Sequence, residues 1–166
     1  MICPVCGFDN IQGEDECANC GADLRSVDIP RPAPGVEDRL VRDHLAEVHG
    51  RAPLMVPPQT PVRTAIRSMQ KQRANCLLVG DAGHLAGIFT ERDALMKLAG
   101  RPLEGVRVAD VMTPDPVVLR QDDSIAVAIH KMAVGGFRHI PLMEDGRVTG
   151  IVTAQDLVRH ILQLLS

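Results

Sequence analysis

The chain of 166 residues has no tryptophan or tyrosine and only three phenylalanines, at positions 8, 89 and 137. A single-strand nucleic-acid site built on base stacking needs aromatic side chains, so this composition argues against one. No apolar run approaches the roughly 20 residues that span a bilayer. The first residues also lack the pattern of a signal peptide. We therefore expect a cytoplasmic protein with an aliphatic core and no membrane partner.

Several catalytic and charge signatures are also missing. The formal net charge is only −3, so no basic excess attracts a phosphate backbone, and we predict no nucleic-acid partner. The six histidines form no His-Glu-x-x-His spacing, and no Gly-Lys-Ser/Thr phosphate loop occurs. No Ser/His/Asp set can be argued from spacing alone. We expect that the protein is not an enzyme.

The chain does contain an internal repeat, which defines its architecture. A motif Gly-Ile-x-Thr-x-x-Asp ends at Asp93 and returns 63 positions later, ending at Asp156. The same offset aligns residues 45–103 with residues 108–166 without a gap. Two copies of one unit, each covering the apolar face of the other, therefore account for most of the chain.

Each copy has the same predicted order of elements, which is strand, helix, strand, strand, helix. The first copy is predicted to have strands at residues 54–56, 76–79 and 85–89 and helices at residues 61–73 and 90–100. Thr60 is the expected N-cap of the first helix, and Thr90 is that of the second. In the second copy the dipeptide Asp145-Gly146 predicts a tight hairpin turn.

Four of the five cysteines form two Cys-x-x-Cys pairs, Cys3 with Cys6 and Cys17 with Cys20. A glycine follows each pair and lets the backbone turn beneath a bound ion. Four thiolates at this spacing can surround a tetrahedral metal. Disulfides would need an oxidising compartment, and a redox site would not need two such pairs. We predict structural zinc, with iron in a rubredoxin-like site as the alternative.

Composition divides the chain into four parts. Residues 1–24 form the small metal-binding domain, whose folding energy the metal must supply. Residues 25–35 are a proline-rich spacer. An amphipathic helix over residues 36–49, with Val36, Leu40, Leu45 and Val48 inward and Gly50 as its stop, then leads into the repeats. The first repeat unit and this helix occupy residues 36–107, and the second unit occupies residues 108–166.

The doubled motif, together with Val111-Met112-Thr113-Pro114 before the second copy, resembles a tandem pair of cystathionine-β-synthase (CBS) domains. Residues 1–24 separately resemble zinc ribbons. The resemblance implies an α+β fold of two β-α-β-β-α units. Each unit has a small sheet covered by two helices, and the units pair through their strands around a pseudo-twofold axis. Clefts along that axis would bind adenosyl compounds such as AMP, ADP, ATP or S-adenosylmethionine.

The Thr-x-x-Asp part of the motif has two interpretations. Taken alone, it is a helix cap, in which Thr90 or Thr153 caps the helix and Asp93 or Asp156 favours its positive end. The family resemblance implies that these carboxylates also accept a ribose diol, while the threonines donate to phosphate. It further implies that apolar side chains sandwich the adenine base, namely Ile88 and Ile151 with Val117 and Leu54 of the opposite unit.

The two clefts are expected to differ in charge. Arg138 and His139 match a strand that faces the phosphates in related energy sensors, whereas the first copy has Asn75 and Cys76 at those positions. We predict that Arg138 serves the Asp93 site. The alternative is that Arg138 is a surface residue and that His139 is a satisfied edge histidine. Without a basic residue, the Asp156 site would bind a less charged adenosyl ligand or stay empty.

Two functions follow from these features. The first is regulation, in which an adenine nucleotide binds between the units and the change is passed to an unknown partner protein. We expect a homodimer, for which the stripe Leu157, Val158, Ile161, Leu162 and Leu165 offers a surface. The second is an adaptor, in which the zinc ribbon docks on protein or nucleic acid and the repeats are mainly a dimerisation scaffold. The ribbon is acidic, which favours a protein target.

Overall fold

The computed structural model describes residues 2–11, 15–24, 35–48, 50, 52–81 and 83–165. Apart from Gly35, the predicted spacer lies outside these residues, as does His49 at the end of the predicted linker helix. The chain divides into two compact units, residues 1–38 and 39–166. Among the described residues, no helix is long and apolar enough to cross a membrane.

The N-terminal unit consists of two similar turns. Antiparallel bridges join Ile2 to Asp9 and Glu16 to Asp23, and each encloses one Cys-x-x-Cys pair. The glycines that follow the pairs have φ values of 72° and 69°, a left-handed conformation that favours glycine. Leu24 is fully buried against Cys3 and Cys17, which makes a very small core. Such a core cannot stabilise a fold without further support.

From residue 36 onward, the described residues form five α-helices and six strands. The helices are α1 Val36–Arg42, α2 Val62–Gln72, α3 Glu91–Leu98, α4 Ile125–Gly135 and α5 Ala154–Leu164. The strands are β1 Met55–Val56, β2 Cys76–Asp81, β3 His84–Thr90, β4 Thr113–Pro114, β5 His139–Glu144 and β6 Arg147–Thr153. Short 3-10 helices cover Leu45–Glu47 and Val108–Asp110.

The strands form two related sheets. In the first, β1 is parallel to β2, and β3 is antiparallel to both β2 and β4. In the second, β5 and β6 form a hairpin. Leu119 forms a parallel bridge with Leu142, and the equivalent residues of the first copy, Val56 and Val79, are paired in the same way. Asp145 and Gly146 have φ values of 47° and 75°, as a type I′ turn requires. The predicted hairpin turn is therefore confirmed.

Each repeat unit completes the core of the other with the first residues of its own copy. Leu45 and Val48 are buried in the core of the second unit, whereas Val108 and Val111 are buried in that of the first. Matching hydrogen bonds hold these segments, from the Leu45 amide to the Asp123 carbonyl and from the Val108 amide to the Thr60 carbonyl, both 2.9 Å. The units are interlocked and do not merely stack.

The structure corrects two predicted elements. The single helix over residues 36–49 is wrong, because α1 ends at Arg42 and the extended His44, with φ −93° and ψ 158°, separates it from a 3-10 turn. Thr60 is not the N-cap of α2, since Pro61 takes that position and the helix begins at Val62. The carbonyl of Thr60 is instead used to hold the Val108 segment.

Candidate metal centre and ligand clefts

The four N-terminal cysteines converge on one point. Their sulfur atoms all lie within 4.8 Å of one another, with 3.7 Å between Cys3 and Cys20 and 3.6 Å between Cys6 and Cys17. Tetrahedral zinc with Zn–S bonds of about 2.3 Å places its sulfur ligands about 3.8 Å apart. The Val5 amide also donates to the Cys3 sulfur at 3.4 Å. The donor set and its spacing therefore fit a tetrahedral metal ion.

The electrostatics of the cluster also fit a cation. Burial acts to raise the pKa of Cys17, but hydrogen bonds from the backbone of Cys20 and Asn19 lower it to about 6. The Ala22 amide acts to lower the pKa of Cys20, but the neighbouring Cys6 sulfur and burial raise it to about 12. Four thiolates this close repel one another. A bound dication would let all four ionise together.

Both Gly-Ile-x-Thr-x-x-Asp motifs form the same helix cap. In the first, the Thr90 amide and hydroxyl donate to Asp93 Oδ2 at 2.9 and 2.7 Å, and the Asp93 amide donates to Thr90 Oγ1 at 3.2 Å. The corresponding distances for Thr153 and Asp156 are 3.0, 2.6 and 3.2 Å. One carboxylate oxygen of each aspartate is thus used by the cap. The two sites differ at the other oxygen, Oδ1.

The Oδ1 atom of Asp93 is enclosed by two further donors. Lys97 Nζ lies 2.8 Å from it, and Thr113 Oγ1 donates to it at 3.0 Å. The Lys97 ammonium also donates to the carbonyls of Val111 and Met112, at 2.8 and 3.1 Å. With the two donors of the cap, all four acceptor positions of the carboxylate are occupied. Although burial acts to raise the pKa of Asp93, the hydrogen bonds from Lys97 and Thr90 lower it.

Asp156 lines a cavity, and its Oδ1 atom has fewer recorded partners than that of Asp93. Within the described part of the chain it has one recorded donor, Arg159 Nη1 at 3.1 Å. Only 4% of Asp156 is exposed, yet it lines a cavity of about 90 Å³. We call this cavity the Asp156 cleft, and its lining residues include Leu54, Asn75, Cys76, Ile151, Thr153 and Asp156. Both repeat units contribute to it.

Comparison with known proteins identifies the repeats. The sequence profile of the CBS domain matches residues 45–100 and again residues 108–163. The chain belongs to the CBS domain family. The recognition of a tandem CBS pair, and of its α+β fold, is thereby confirmed.

Related proteins support this assignment. The CBS domain-containing protein CBSCBSPB5 of Arabidopsis thaliana is 37% identical over 102 residues, which are 60% of this chain but only 19% of that protein. A CBS-domain protein of Agrobacterium tumefaciens has 31% identity and a TM-score of 0.62, covering 73% of this chain and 98% of that one. The chain thus spans about a fifth of its plant relative.

Solved structures with bound ligands share the fold at lower identity. A CBS domain protein of Pyrobaculum aerophilum complexed with AMP has 23% identity and a TM-score of 0.65, covering 72% of this chain and 95% of that one. Another CBS domain pair, solved with 5′-methylthioadenosine and S-adenosyl-L-methionine, has 24% identity and a TM-score of 0.63. It covers 70% of this chain and 98% of that one.

The structure brings together one of the two predicted sets of site residues. Leu54 of the first CBS unit and Ile151, Thr153 and Asp156 of the second all line the Asp156 cleft. Ile88 packs in the same buried cluster as Ile151, at the contact between the units. Val117, the counterpart of Leu54, is 41% exposed.

The predicted basic residues lie at the start of β5. Arg138 is exposed, and its carbonyl accepts from the Ala154 amide at 2.9 Å. His139 Nε2 lies 3.1 Å from Asn75 Oδ1 of the other CBS unit, and burial lowers the pKa of this imidazole. Near the Asp93 site, Arg92 donates to the Gly136 carbonyl at 3.3 Å, which connects α3 to the segment before β5.

Sequence reasoning missed the residues that distinguish the two aspartates. Lys97 and Thr113 fill the Asp93 site, and their repeat equivalents are His160 and Gly50. A side chain is excluded at Gly50, because an added Cβ would lie 2.7 Å from the Ile151 carbonyl oxygen. The offset of 63 residues pairs these positions directly. The repeat alignment therefore contains both signals, a lysine in place of His160 and a side chain in place of Gly50.

Proposed function

We propose that the protein is a regulatory CBS pair that binds an adenosyl ligand between its units and signals to a partner protein. The observation that carries the proposal is the Asp156 carboxylate, held at a helix start on the wall of a cleft with apolar sides. A ribose hydroxyl can donate to Oδ1 beside Arg159, because a carboxylate oxygen has two acceptor positions. Leu54 and Ile151 offer apolar contacts to adenine. The AMP, methylthioadenosine and S-adenosylmethionine complexes of the structural neighbours support the ligand class.

The position of the cleft suggests how binding is transmitted. Its walls come from both CBS units, so a ligand that fills it contacts both at once. A cavity of about 90 Å³ is smaller than the several hundred Å³ of most small-molecule sites, so entry requires the cleft to widen. A ligand with higher affinity for the widened state shifts the pair toward it. We propose that this change is what a partner protein recognises.

The Asp93 site is the second proposed site, with Arg138 and His139 as partners of a phosphate. The Asp93 carboxylate already accepts four hydrogen bonds, so a ribose must displace Lys97 or Thr113. A displaced Lys97 ammonium and the exposed Arg138 then offer positive charge to a phosphate. An AMP, ADP or ATP molecule is therefore the proposed ligand at this site.

Isothermal titration calorimetry of the full-length, metal-loaded protein tests the function. We expect binding of at least one compound among AMP, ADP, ATP and S-adenosylmethionine, with a dissociation constant in the micromolar to millimolar range. Asp156→Asn keeps the shape of the cap but removes the charge, and it should abolish binding at the Asp156 cleft. If none of these ligands produces heat, the nucleotide-sensing function is wrong.

The metal centre is proposed to hold structural zinc. Elemental analysis should find one zinc per chain, whereas iron at the same stoichiometry would replace zinc in this proposal. Cys3→Ser should lower the metal content, because it removes one of four ligands. Cys76→Ser is the matched control, since this fifth cysteine lies outside the cluster, and it should keep the full metal content.

The proposed homodimer uses the outer side of α5. Leu157 of the predicted stripe is buried in the core, but Val158, Leu162 and Leu165 are 55%, 60% and 64% exposed. The repeat equivalent of Val158, Leu95 on α3, is 72% exposed. Val158→Glu should convert a dimer to a monomer in light scattering. Val134→Glu, at a position on α4 that is 76% exposed, is the control that should remain dimeric.

An adaptor function is the alternative. Acidic residues of the described ribbon, namely Asp9, Asp15, Glu16 and Asp23, favour a protein target over a phosphate backbone. In this proposal the ribbon at residues 1–24 docks on the target and the spacer at residues 25–35 follows it. The CBS units at residues 36–107 and 108–166 are then mainly a dimerisation scaffold, in the cytoplasm. A salt-sensitive shift of DNA or RNA by the full-length protein would contradict the choice of a protein target.

A further inference from the structure

The polar side chains described in the lining of the Asp156 cleft include no basic residue. Among the described residues that form it, the polar side chains belong to three amides, one hydroxyl, one thiol and one carboxylate, namely Gln72, Asn75, Gln155, Thr153, Cys76 and Asp156. No lysine, arginine or histidine is among these described lining residues. The formal charge of these described lining side chains is therefore negative.

The guanidinium recorded in contact with Asp156 is already engaged. Arg159 lies one helical turn beyond Asp156 on α5, and its Nη1 donates to the carboxylate at 3.1 Å. It is therefore paired with the aspartate and does not provide an unbalanced positive charge. At the equivalent place in the first unit stands Met96, which is 80% exposed. The difference makes Asp156 and Arg159 a feature of this cleft alone.

The thiol in the cleft is also disfavoured as an anion. Burial is the main cause that raises the pKa of Cys76 to about 12, and the carboxylates of Glu91 and Asp156 add to the shift. The group is therefore a neutral thiol at physiological pH. Two carboxylates close enough to oppose a thiolate also oppose a phosphate, which carries a charge of about −1.5 to −2 near neutral pH.

The amide at Asn75 marks where a cation is missing. Asn75 is the repeat equivalent of Arg138, and its Oδ1 lies 3.1 Å from His139 Nε2. This side chain can donate hydrogen bonds through its NH₂ group but adds no charge. Charge-assisted bonds to phosphate are about twice as strong as neutral ones, so an amide is a poor replacement for a guanidinium.

We propose that the Asp156 cleft selects adenosyl ligands that carry no phosphate, such as adenosine or 5′-methylthioadenosine, over AMP, ADP and ATP. The proposal rests on the function proposed above, which supplies the ribose contact to Asp156 and the apolar contacts to adenine. It adds that the 5′ substituent must be uncharged or cationic. S-Adenosylmethionine, whose sulfonium is positive, belongs to the accepted class.

Calorimetry on the full-length, metal-loaded protein separates the two proposals. Adenosine, 5′-methylthioadenosine, S-adenosylmethionine, AMP and ATP are titrated into the wild type, Asp93→Asn and Asp156→Asn. We expect adenosine and methylthioadenosine to bind at least tenfold more tightly than AMP in Asp93→Asn, where the Asp156 cleft is intact. Their binding should be lost in Asp156→Asn. Thermal unfolding of each variant verifies that it is folded.

The outcomes differ for the two proposals. If AMP or ATP binds in Asp93→Asn as tightly as adenosine, the selectivity is wrong while the adenosyl function stands. If AMP and ATP bind to the wild type but no ligand without a phosphate does, the selectivity is again the part that fails. If no adenosyl compound binds to any variant, both proposals are wrong.

A variant designed to gain phosphate binding tests whether the lack of a cation at position 75 causes the selectivity. Asn75→Arg places a guanidinium where the other unit has Arg138, and it should tighten AMP binding at least tenfold without tightening adenosine binding. Asn75→Gln is the matched control, because it keeps an amide and adds no charge, and AMP affinity should stay as in the wild type. An unchanged AMP affinity in Asn75→Arg would show that the missing cation is not what excludes phosphate.

Discussion

The two aspartates of the repeated motif have the same cap and different surroundings. Asp93 is enclosed by Lys97 and Thr113, so its carboxylate is fully hydrogen-bonded within the protein. Asp156 faces a cleft and has Arg159 as the one recorded partner of Oδ1 in the described chain. The comparison teaches that a motif conferring the same fold twice need not confer the same site twice. The residues around the second carboxylate oxygen determine whether a ligand can reach it.

Two equivalent glycines add a second contrast among the described residues. In the first unit, β4 pairs with β3, and Gly87 lies directly against it. An added Cβ at Gly87 would lie 2.5 Å from Met112 Sδ and 2.8 Å from the Thr113 carbonyl oxygen. Among the described residues, the nearest contact of a Cβ at the equivalent Gly150 is an ordinary one, with Leu142 Cδ1 at 3.6 Å, while the repeat equivalents of Met112 and Pro114 lie outside the described residues. Among the described neighbours, Gly87 therefore has less room for a side chain than Gly150.

The largest effect that tests this comparison is expected for Gly87→Ala. The methyl group would displace both a methionine side chain and backbone, and such overpacking typically costs about 1–3 kcal/mol of unfolding free energy. Gly150→Ala is the matched change and should cost less than about 1 kcal/mol. Urea denaturation of both variants measures the difference. Equal losses in the two variants would mean that the two units are packed alike at this strand.

Lys97→Met should give the next largest effect. It removes the ion pair with Asp93 and the bonds to the carbonyls of Val111 and Met112, and because Lys97 is partly exposed we expect a loss of about 1 kcal/mol. It should also open the Asp93 site to ligand. Calorimetry with adenosine would then show an increased stoichiometry relative to the wild type. An unchanged stoichiometry would show that Lys97 does not block that site.

Much of the fold was predictable because its signals are local or repeated. The offset of 63 residues predicted two β-α-β-β-α units, and the dipeptide Asp145-Gly146 predicted the hairpin turn. The cysteine spacing likewise predicted a cluster that the structure confirms. In each case the residues that specify the feature lie within a few positions or are repeated at a constant interval.

The errors arise where contacts are distant in sequence. Threonine is a common N-cap residue, but the Thr60 carbonyl accepts a hydrogen bond from the amide of Val108, 48 positions later. The linker helix stops at Arg42 because Leu45 must reach the core of the second unit. The closed state of Asp93 likewise depends on Thr113, on a separate strand. No local pattern at Asp93 indicates it.

Thr113→Val should have a smaller effect than Lys97→Met. It keeps the shape of the side chain but removes one hydrogen bond to Asp93 Oδ1, so we expect a loss of about 1 kcal/mol or less. Lys97 should remain in place, so adenosine stoichiometry should match that of the wild type. Together the two variants distinguish a loss of unfolding free energy from an increase in ligand access to the Asp93 site. A gain of ligand binding in Thr113→Val would assign the closure of the site to Thr113.

The smallest effect is expected for Thr113→Val on the pH dependence of the unfolding free energy. The folded-state pKa of Asp93 is lowered, with burial opposing and the donors Lys97, Thr90 and Thr113 causing the net shift. Its ionised form therefore stabilises the fold above the unfolded pKa of about 3.9, and that contribution is lost as the pH falls through the lower folded pKa. Thr113→Val removes one of these donors, so the folded pKa should rise and less stability should be lost on acidification. Urea denaturation at pH 7, 5, 4 and 3 measures the difference between variant and wild type, which should narrow toward pH 3. Parallel profiles would show that the Thr113 hydroxyl does not favour the ionised carboxylate, and the contrast with Asp156 would then rest on Lys97 alone.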